Sequence, residues 1–443
     1  VTGDNGVLLA SAGRDINLIA SQIKNSGANS QTILSAQNDI NLGTLATRQT
    51  NNLEFDAGNY RRATSTAEAG SSIACAGSVS LSAGNDVNAR AAQVTAGKTL
   101  DVAAGNNIIL QAGQATTNVD QMASASGKDL FFTSSIQTRR QEQSATAQVS
   151  SLSGQSTNLV AQNNLVSIGA KLEATGVDTG TGTLRVEGKN NTALYEVQDF
   201  KQVTTTTQTK TGLGVMFDPL NIGPALEDKT VTDARATSTA IGTKLVSTQK
   251  IEIGVGNKTE LRGTDVEAPQ IAFVKTDPSK AGELILGGST NTTQTAHTEK
   301  TEYAGLYQES KGSGSTVETL NQTILKGNVA FDAALKITVQ IPDTKGGQAL
   351  KSQINALVAQ GNGVGLDYLN ALANNPNVKW DQIALAHEKW SYDQGGLTGA
   401  GAALLTIVVA AYTGGMGTQL LGSANSAALG LRTSLKPGST TTS

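Results

Sequence analysis

The chain has 443 residues and a formal net charge of -3, with 4% aromatic residues, 16% charged residues and 48 glycines. There is no clustered Lys/Arg footprint, which argues against a nucleic-acid partner, and the mix is neither that of a charge-rich disordered chain nor that of an ordinary globular core. Small aliphatic and β-branched residues, with many Asn, Gln, Ser and Thr, suit a narrow core built from stacked layers.

The first half reads as a repeat. AGRDINL (12–18), AQNDINL (36–42), AGNDVNA (83–89) and AGNNIIL (104–110) are variants of one phrase, and SGKDLFF (126–132) and AQNNLVS (161–167) are weaker copies. Neighbouring copies lie roughly 20 to 24 residues apart, a period typical of solenoids. A glycine such as Gly13 or Gly84, with Asp or Asn close behind, is expected to supply positive φ at a tight corner. Short alternations follow, such as Ile16-Asn17-Leu18 and Leu100-Asp101-Val102, which send one side chain inward and the next outward. Strands this short cannot bury a face as a free-standing sandwich, but they can if each coil stacks about 4.8 Å from the next. A globular sandwich with the same turn spacing leaves the repeated corner phrase unexplained. The expected fold is therefore all-β, a right-handed parallel β-helix. Asp15, Asp39 and Asp86 recur at one corner, where Asp is a turn residue, whereas a catalytic pair would occur once. The single cysteine, Cys75, is expected to be a small buried apolar residue.

Polar excursions rich in Thr, Gln and Ser interrupt the repeats at residues 47–72, 116–126, 137–158, 195–243 and 290–318. Thr favours strands and pairs well across them, so these read as β-hairpins protruding from the side of the helix. Residues 214–229, with Pro219 and Pro224, read as a loop at one tip. Coil phrases return at 245–274 and in ELILGG (283–288). After about residue 341 the spacing becomes helical. Leu350, Ile354, Leu357 and Val358 share one face, and Leu366, Leu369 and Leu372 continue it to the stop at Asn374-Asn375-Pro376. Trp380, Ile383, His387 and Trp390 are predicted to form the packing face of a further helix. The expected division is a β-helix over 1–342 and a small α-helical region over 343–443, incomplete at its C-terminal end. No leader-like stretch opens the chain, and its last residues break off without pattern, so it reads as an excerpt of something longer.

Within 397–415, Leu397, Leu404, Leu405, Ile407, Val408 and Val409 mark an apolar segment, and residues 400–413 carry no charge. It is shorter than the roughly 20 apolar residues of a spanning helix and more apolar than an amphipathic surface helix. Two readings stay open: a membrane-active segment, or a buried hairpin helix. His297 and His387, the two histidines, cannot make an ordinary zinc site with Cys75. The Gly-rich stretches 212–218, 254–260 and 312–319 lack the ending of a phosphate loop, and the calcium-binding nonapeptide phrase is missing. No cofactor, metal or enzymatic activity is expected. A glycan-active β-helix enzyme, the remote alternative, would need carboxylates set together on one sheet face.

The AGxDIxL corners, the Thr-rich excursions and GLYQESKGSGSTVETL (305–320) resemble the distal haemagglutinin repeat region of two-partner-secreted exoproteins. That family includes filamentous haemagglutinins and the CdiA effectors of contact-dependent growth inhibition. The stretch NNPNVKWDQIALAHEKWSYDQGGLTGAGAALLTIVVAAYTGG (374–415) resembles the start of the pretoxin region that follows those repeats. The two blocks stand in the family's order and cover nearly the whole chain. The resemblance implies a secreted filament at the bacterial surface, held partly in the periplasm before target contact. An upstream domain would engage an outer-membrane two-partner secretion transporter. A toxin domain would lie downstream, since the family's VENN boundary motif does not occur here. The distal repeats would then associate with the target-cell outer membrane, or with its proteins, to pass the toxin. The expected function is that of a non-enzymatic delivery segment, and the alternative is a passive stalk or adhesive segment of a haemagglutinin-like adhesin.

Overall fold

The computed structural model describes residues 3–397 apart from 179, 219, 221–224, 278, 280, 281, 333, 334, 344–348 and 361–364. Each of the first eight turns of the chain lays one short strand on each of three faces. Coil 1 consists of Val7–Ala12, Ile16–Ile19 and Gln22–Asn25. Coil 2 repeats it with Gln31–Ala36, Ile40–Gly43 and Ser72–Cys75, and coil 3 with Ser78–Ala83, Val87–Arg90 and Gln93–Ala96. Coils 4 to 7 open at Thr99–Ala104, Ser156–Ala161, Thr183–Gly188 and Lys250–Val255. At the passages from coil 7 to coil 8 and from coil 8 to coil 9 the third and first faces run together, so that Asp265–Lys275 and Ile324–Phe331 each serve both. The pairings between coils are parallel, with one register shift, between Glu267 and Gln270. The fold is a parallel β-helix.

Register places like on like. Leu34, Leu81, Val102, Leu159, Val186, Ile253, Phe273 and Phe331 form one inward column up the first face. The last two stack ring on ring at 5.2 Å. Burying each large side chain contributes roughly 1.5–3 kcal/mol. A column only one residue wide explains why the composition needs so few aromatics. Cys75 is buried in this core, as its surroundings in the sequence suggested, with its Sγ 3.2 Å from Ser30 Oγ.

The Asp and Asn of the repeated phrase form a ladder at the corner between the first and second faces. Asn38, Asn85 and Asn106 each donate through Nδ2 to the Asp of the coil before, namely Asp15, Asp39 and Asp86, at 2.7, 2.8 and 3.0 Å. Where the acceptor position becomes Asn107, the columns run straight. Asn164 then donates to Asn107 (3.0 Å), Asn191 to Asn164 (2.8 Å) and Asn163 to Asn106 (3.0 Å). An amide can both donate and accept and so passes the ladder on, while a carboxylate only accepts. Asn38 holds the Asp15 carboxyl below its usual range.

The corner glycines act differently from expectation. Neither Gly13 nor Gly84 has positive φ. Gly84 is needed because a Cβ there would lie 2.1 Å from the carbonyl oxygen of Gln37, and one on Gly105 would lie 2.0 Å from that of Gly84. The requirement is close approach of stacked backbones, not a left-handed conformation.

Beyond residue 343 the predicted helices form as Leu350–Gln360 (α1) and Tyr368–Ala373 (α2). Ile354, Leu366, Tyr368, Leu369 and Leu372 join the solenoid core, and Tyr368 donates to the Thr323 carbonyl at 2.8 Å. The region is not helical throughout. Val378–Ile383 pairs in parallel with Lys336–Pro342 and continues the second face as coil 10. Trp380 and Ile383 therefore lie on a strand, and His387 and Trp390 on the next, His387–Leu397, so the expected helical face does not exist. The four residues fit a helical spacing, but strand pairing to an existing sheet edge overrides the local pattern. Trp380 sits over Val339 and packs against the core.

The stacking distance makes a prediction. Gly105→Ala should lower the stability of the solenoid by about 1–3 kcal/mol, read as an earlier urea midpoint. Gly13→Ala, with nothing within 4 Å of its added Cβ, should cost far less.

Candidate interaction surface

The corner between the second and third faces alternates between two forms. In coils 1, 3, 5 and 7 it is a tight turn at a single left-handed residue, Ala20 (φ 45), Ala91 (φ 46), Gly169 (φ 64) or Gly263 (φ 53). In coils 2, 4, 6 and 8 a long hairpin leaves at that corner. Hairpin 1 is Leu45–Asp56 with Asn59–Ala69, and hairpin 2 is Gly113–Lys128 with Phe132–Gln148. Hairpin 3 is Val197–Leu213 with Glu227–Ile241, and hairpin 4 is the outer part of Glu283–Tyr303 with Tyr307–Gln322. In coil 10 the chain again leaves its second-face strand and enters His387–Leu397, which pairs with hairpin 4.

The alternation has a geometric cause. Stacked coils and paired strands share one spacing, about 4.8 Å, so two coils rise by the width of one two-stranded hairpin, about 9.6 Å. Successive hairpins therefore meet edge to edge and merge into one antiparallel sheet of nine described strands. A buried hydroxyl marks each branch point. Ser71 donates to the Leu18 carbonyl (2.8 Å), Ser150 to that of Gln111 (2.7 Å), Thr243 to that of Tyr195 (3.0 Å) and Thr323 to that of Gly287 (2.7 Å). The carbonyls of Gln111, Tyr195 and Gly287 also accept the backbone N–H of Ala91, Gly169 and Gly263, so each of these three hydroxyls ties its branch point to the left-handed corner one coil before.

Most arm residues are half-buried or exposed on both faces, and the buried ones lie mainly near the branch points, as at Ala236, Ser238 and Ser289. Cross-strand polar pairs take the place of a core. Thr66 meets Thr116 at 2.5 Å and Thr295 meets Ser315 at 2.9 Å. Asp120 accepts both Nε and NH2 of Arg139 at 2.9 Å, Lys201 pairs with Glu142 at 2.9 Å, and Lys229 with Glu299 at 2.7 Å. Each such pair contributes roughly 0.2–1 kcal/mol. At the foot of hairpin 1, Glu68 accepts Nε and NH2 of Arg90 from coil 3 at 2.6 and 2.8 Å, and this guanidinium holds the Glu68 carboxyl below its usual range. At the foot of hairpin 3, burial pushes the Glu196 carboxyl upward, although Arg262 lies 3.3 Å away.

Trp390 and Tyr392 stack on each other (6.1 Å) and lie over Gly314 and Gly312 of the facing arm. A Cβ on either glycine would come within 2.4 Å of a ring. The GSGS of 312–315 set against WSY of 390–392 was the readable sign of this pairing. His297 is 2.7 Å from Asp233, and His387 lies opposite Val317. Asp233, Arg235, His297, Lys389 and Trp390 line a shallow trough of about 810 Å³ across five strands. Among the described residues no group of three His, Cys, Asp or Glu could hold a metal ion, and no helix is long and apolar enough to cross a membrane. Of the apolar segment, the backbone of Leu397 ends the last described strand, while Leu404, Leu405, Ile407, Val408 and Val409 lie outside the described residues.

Two sequence readings change here. Residues 116–126 and 137–158 are not separate excursions, because 113–148 is one hairpin. SGKDLFF is not a corner phrase but the tip of that hairpin. The Asp129 carboxylate accepts from the backbone of Phe131 and Phe132, its own neighbours, instead of from the next coil. The local grammar is the same and the partner differs.

The architecture is that of a repeat-built solenoid carrying a lateral sheet. Residues 56–204 match the family model of the hemagglutinin repeat. The match supports a filamentous-haemagglutinin-like family, whose repeats are structural or adhesive and typically belong to secreted surface filaments. No curated protein and no solved structure matches the chain.

The Glu68–Arg90 clasp makes hairpin 1 sensitive to acid. The folded carboxyl is depressed, so its contribution is complete above the unfolded value near 4.5 and is lost as pH falls through the lower folded value. Hydrogen-exchange protection over Leu45–Asp56 and Asn59–Ala69 should drop across that window, and Glu68→Gln should remove this step.

Proposed function

We propose that this chain is the delivery segment of a contact-dependent growth inhibition effector, non-enzymatic and displayed at the cell surface. In this reading an upstream domain passes through an outer-membrane two-partner secretion transporter. The segment then engages the outer membrane of a target cell, or its proteins, so that a C-terminal toxin can follow. The observation that carries the reading is the lateral sheet. A stalk needs reach, which the solenoid supplies alone, whereas a hairpin on every second coil spends much of the chain on a second, outward surface. The resemblance of 374–415 to a pretoxin region points the same way, while the hemagglutinin-repeat match fits this reading and the next equally. The second reading, a passive stalk or adhesive segment, draws on the unbroken ladders of the solenoid.

The two are separated in producing cells that carry the complete exoprotein. Residues 1–397 are replaced by a hairpin-free parallel β-helix with the same number of coils. A delivery segment predicts that display and adhesion to targets survive while growth inhibition of targets falls to background. Persistent inhibition would establish the passive stalk.

A further inference from the structure

The far edge of the lateral sheet gathers nine exposed large apolar side chains in one row. Leu130, Phe131 and Phe132 stand at the tip of hairpin 2, Met216, Phe217 and Leu220 at hairpin 3, and Tyr303, Leu306 and Tyr307 at hairpin 4. Phe217 is 60% exposed and Leu306 70%. The strand register makes these three tips level, since Phe132 pairs with Leu213, Glu227 with Tyr303, and Tyr303 with Tyr307. They are also tied together. Met216 N donates to the Leu130 carbonyl (3.0 Å), Ala304 N donates to that of Leu226 (3.0 Å), and Phe131 meets Phe217 at 6.3 Å. Hairpin 1 stops short, because Tyr60 pairs with Met122, six residues before Lys128, so Phe55 is set back from this rim.

We infer that the rim formed by the tips of hairpins 2 to 4 inserts into a lipid bilayer surface. The inference deepens the delivery reading and rests on it for its place in the cell. An apolar row of this size needs a partner, and three features select lipid. The tips form a ridge on a sheet one layer thick, a shape that enters a fluid apolar phase more easily than it fits a protein surface. Tyr303 and Tyr307 place amphipathic rings where a bilayer has its headgroup boundary. Leu397 pairs with Tyr307, so the uncharged stretch 400–413 follows in the chain within three residues of the rim. Charges behind the rim are of both signs, as at Lys128, Asp129, Lys210 and Asp228, so insertion is driven by apolar contact and not by steering to anionic lipid.

The test is flotation of the 443-residue chain with neutral phosphatidylcholine–phosphatidylethanolamine vesicles. The chain should float, at low and high salt alike. Combining Phe131→Ser, Phe217→Ser and Leu306→Ser should weaken binding by roughly a hundredfold or more, as expected for three apolar side chains kept out of the membrane. Phe55→Ser should leave binding unchanged. In a Cys75→Ser background, an environment-sensitive label at Leu306→Cys should be quenched from within the lipid, and one at Leu53→Cys should not. The inference is overturned if the triple variant floats like the parent, or if the parent does not float. It is also overturned if the parent instead forms a dimer that the triple variant abolishes, because the rim then joins copies of the chain. Growth inhibition separates the two levels. A triple variant that cannot bind vesicles but, within the complete exoprotein, still inhibits targets removes the delivery role and leaves the lipid site. A parent that inhibits targets without binding vesicles removes the lipid site and leaves delivery.

Discussion

The backbone hydrogen bond between one coil and the next sets a spacing of about 4.8 Å, and the other features of this protein follow from it. That spacing is too small for a Cβ where Gly84 and Gly105 stack on their neighbours' carbonyls. It brings each corner amide within reach of the residue one coil away, which turns a turn preference into a ladder. It also makes a two-stranded hairpin as wide as two coils are tall. A hairpin on every coil would crowd the lateral sheet, and one on every third would leave a gap too wide for a hydrogen bond. The alternation of left-handed corners at Ala20, Ala91, Gly169 and Gly263 with hairpin branch points is the solution that lets successive hairpins pair edge to edge.

The two parts of the molecule are stabilised by different physics. The solenoid is held by buried aliphatic columns. The lateral sheet has Thr, Gln and ion pairs where a core would be, so its stability is a sum of small terms. It depends on its attachment, through the hydroxyls of Ser71, Ser150, Thr243 and Thr323 and the Arg90–Glu68 clasp. Such a sheet stays soluble on both faces while holding a row of apolar tips far from the core. The same side chains placed on the sheet faces would be an aggregation hazard. At the tips they are held in one row, with Phe131 against Phe217 and Tyr303 against Tyr307.

Much of this was legible in the sequence because stacking writes itself as repetition. The AGxDIxL phrase located coils 1 to 5, and the Thr-rich runs located three of the four hairpins. What was not legible depends on pairing between distant segments. Asp129 at a hairpin tip and Asp39 at a coil corner look alike locally, and only the partner distinguishes them. Trp380, Ile383, His387 and Trp390 fit a helical spacing by coincidence, while Gly312 and Gly314, which accommodate the Trp390 and Tyr392 rings, lie some eighty residues earlier. The level rim of hairpins 2 to 4 is likewise a property of register and not of any one segment.

The matching of hairpin width to coil height is tested most directly by inserting one extra hairpin-free coil, a copy of residues 156–182, between coils 5 and 6. The insertion moves hairpin 3 about 4.8 Å further from hairpin 2, so Phe132–Gln148 and Val197–Leu213 can no longer pair. Hydrogen exchange should show protection lost along that seam while the solenoid core keeps its own. Inserting a copy of 156–247, which brings two coils and their hairpin together, should preserve protection. A single-coil insertion that leaves the seam fully protected would contradict the account.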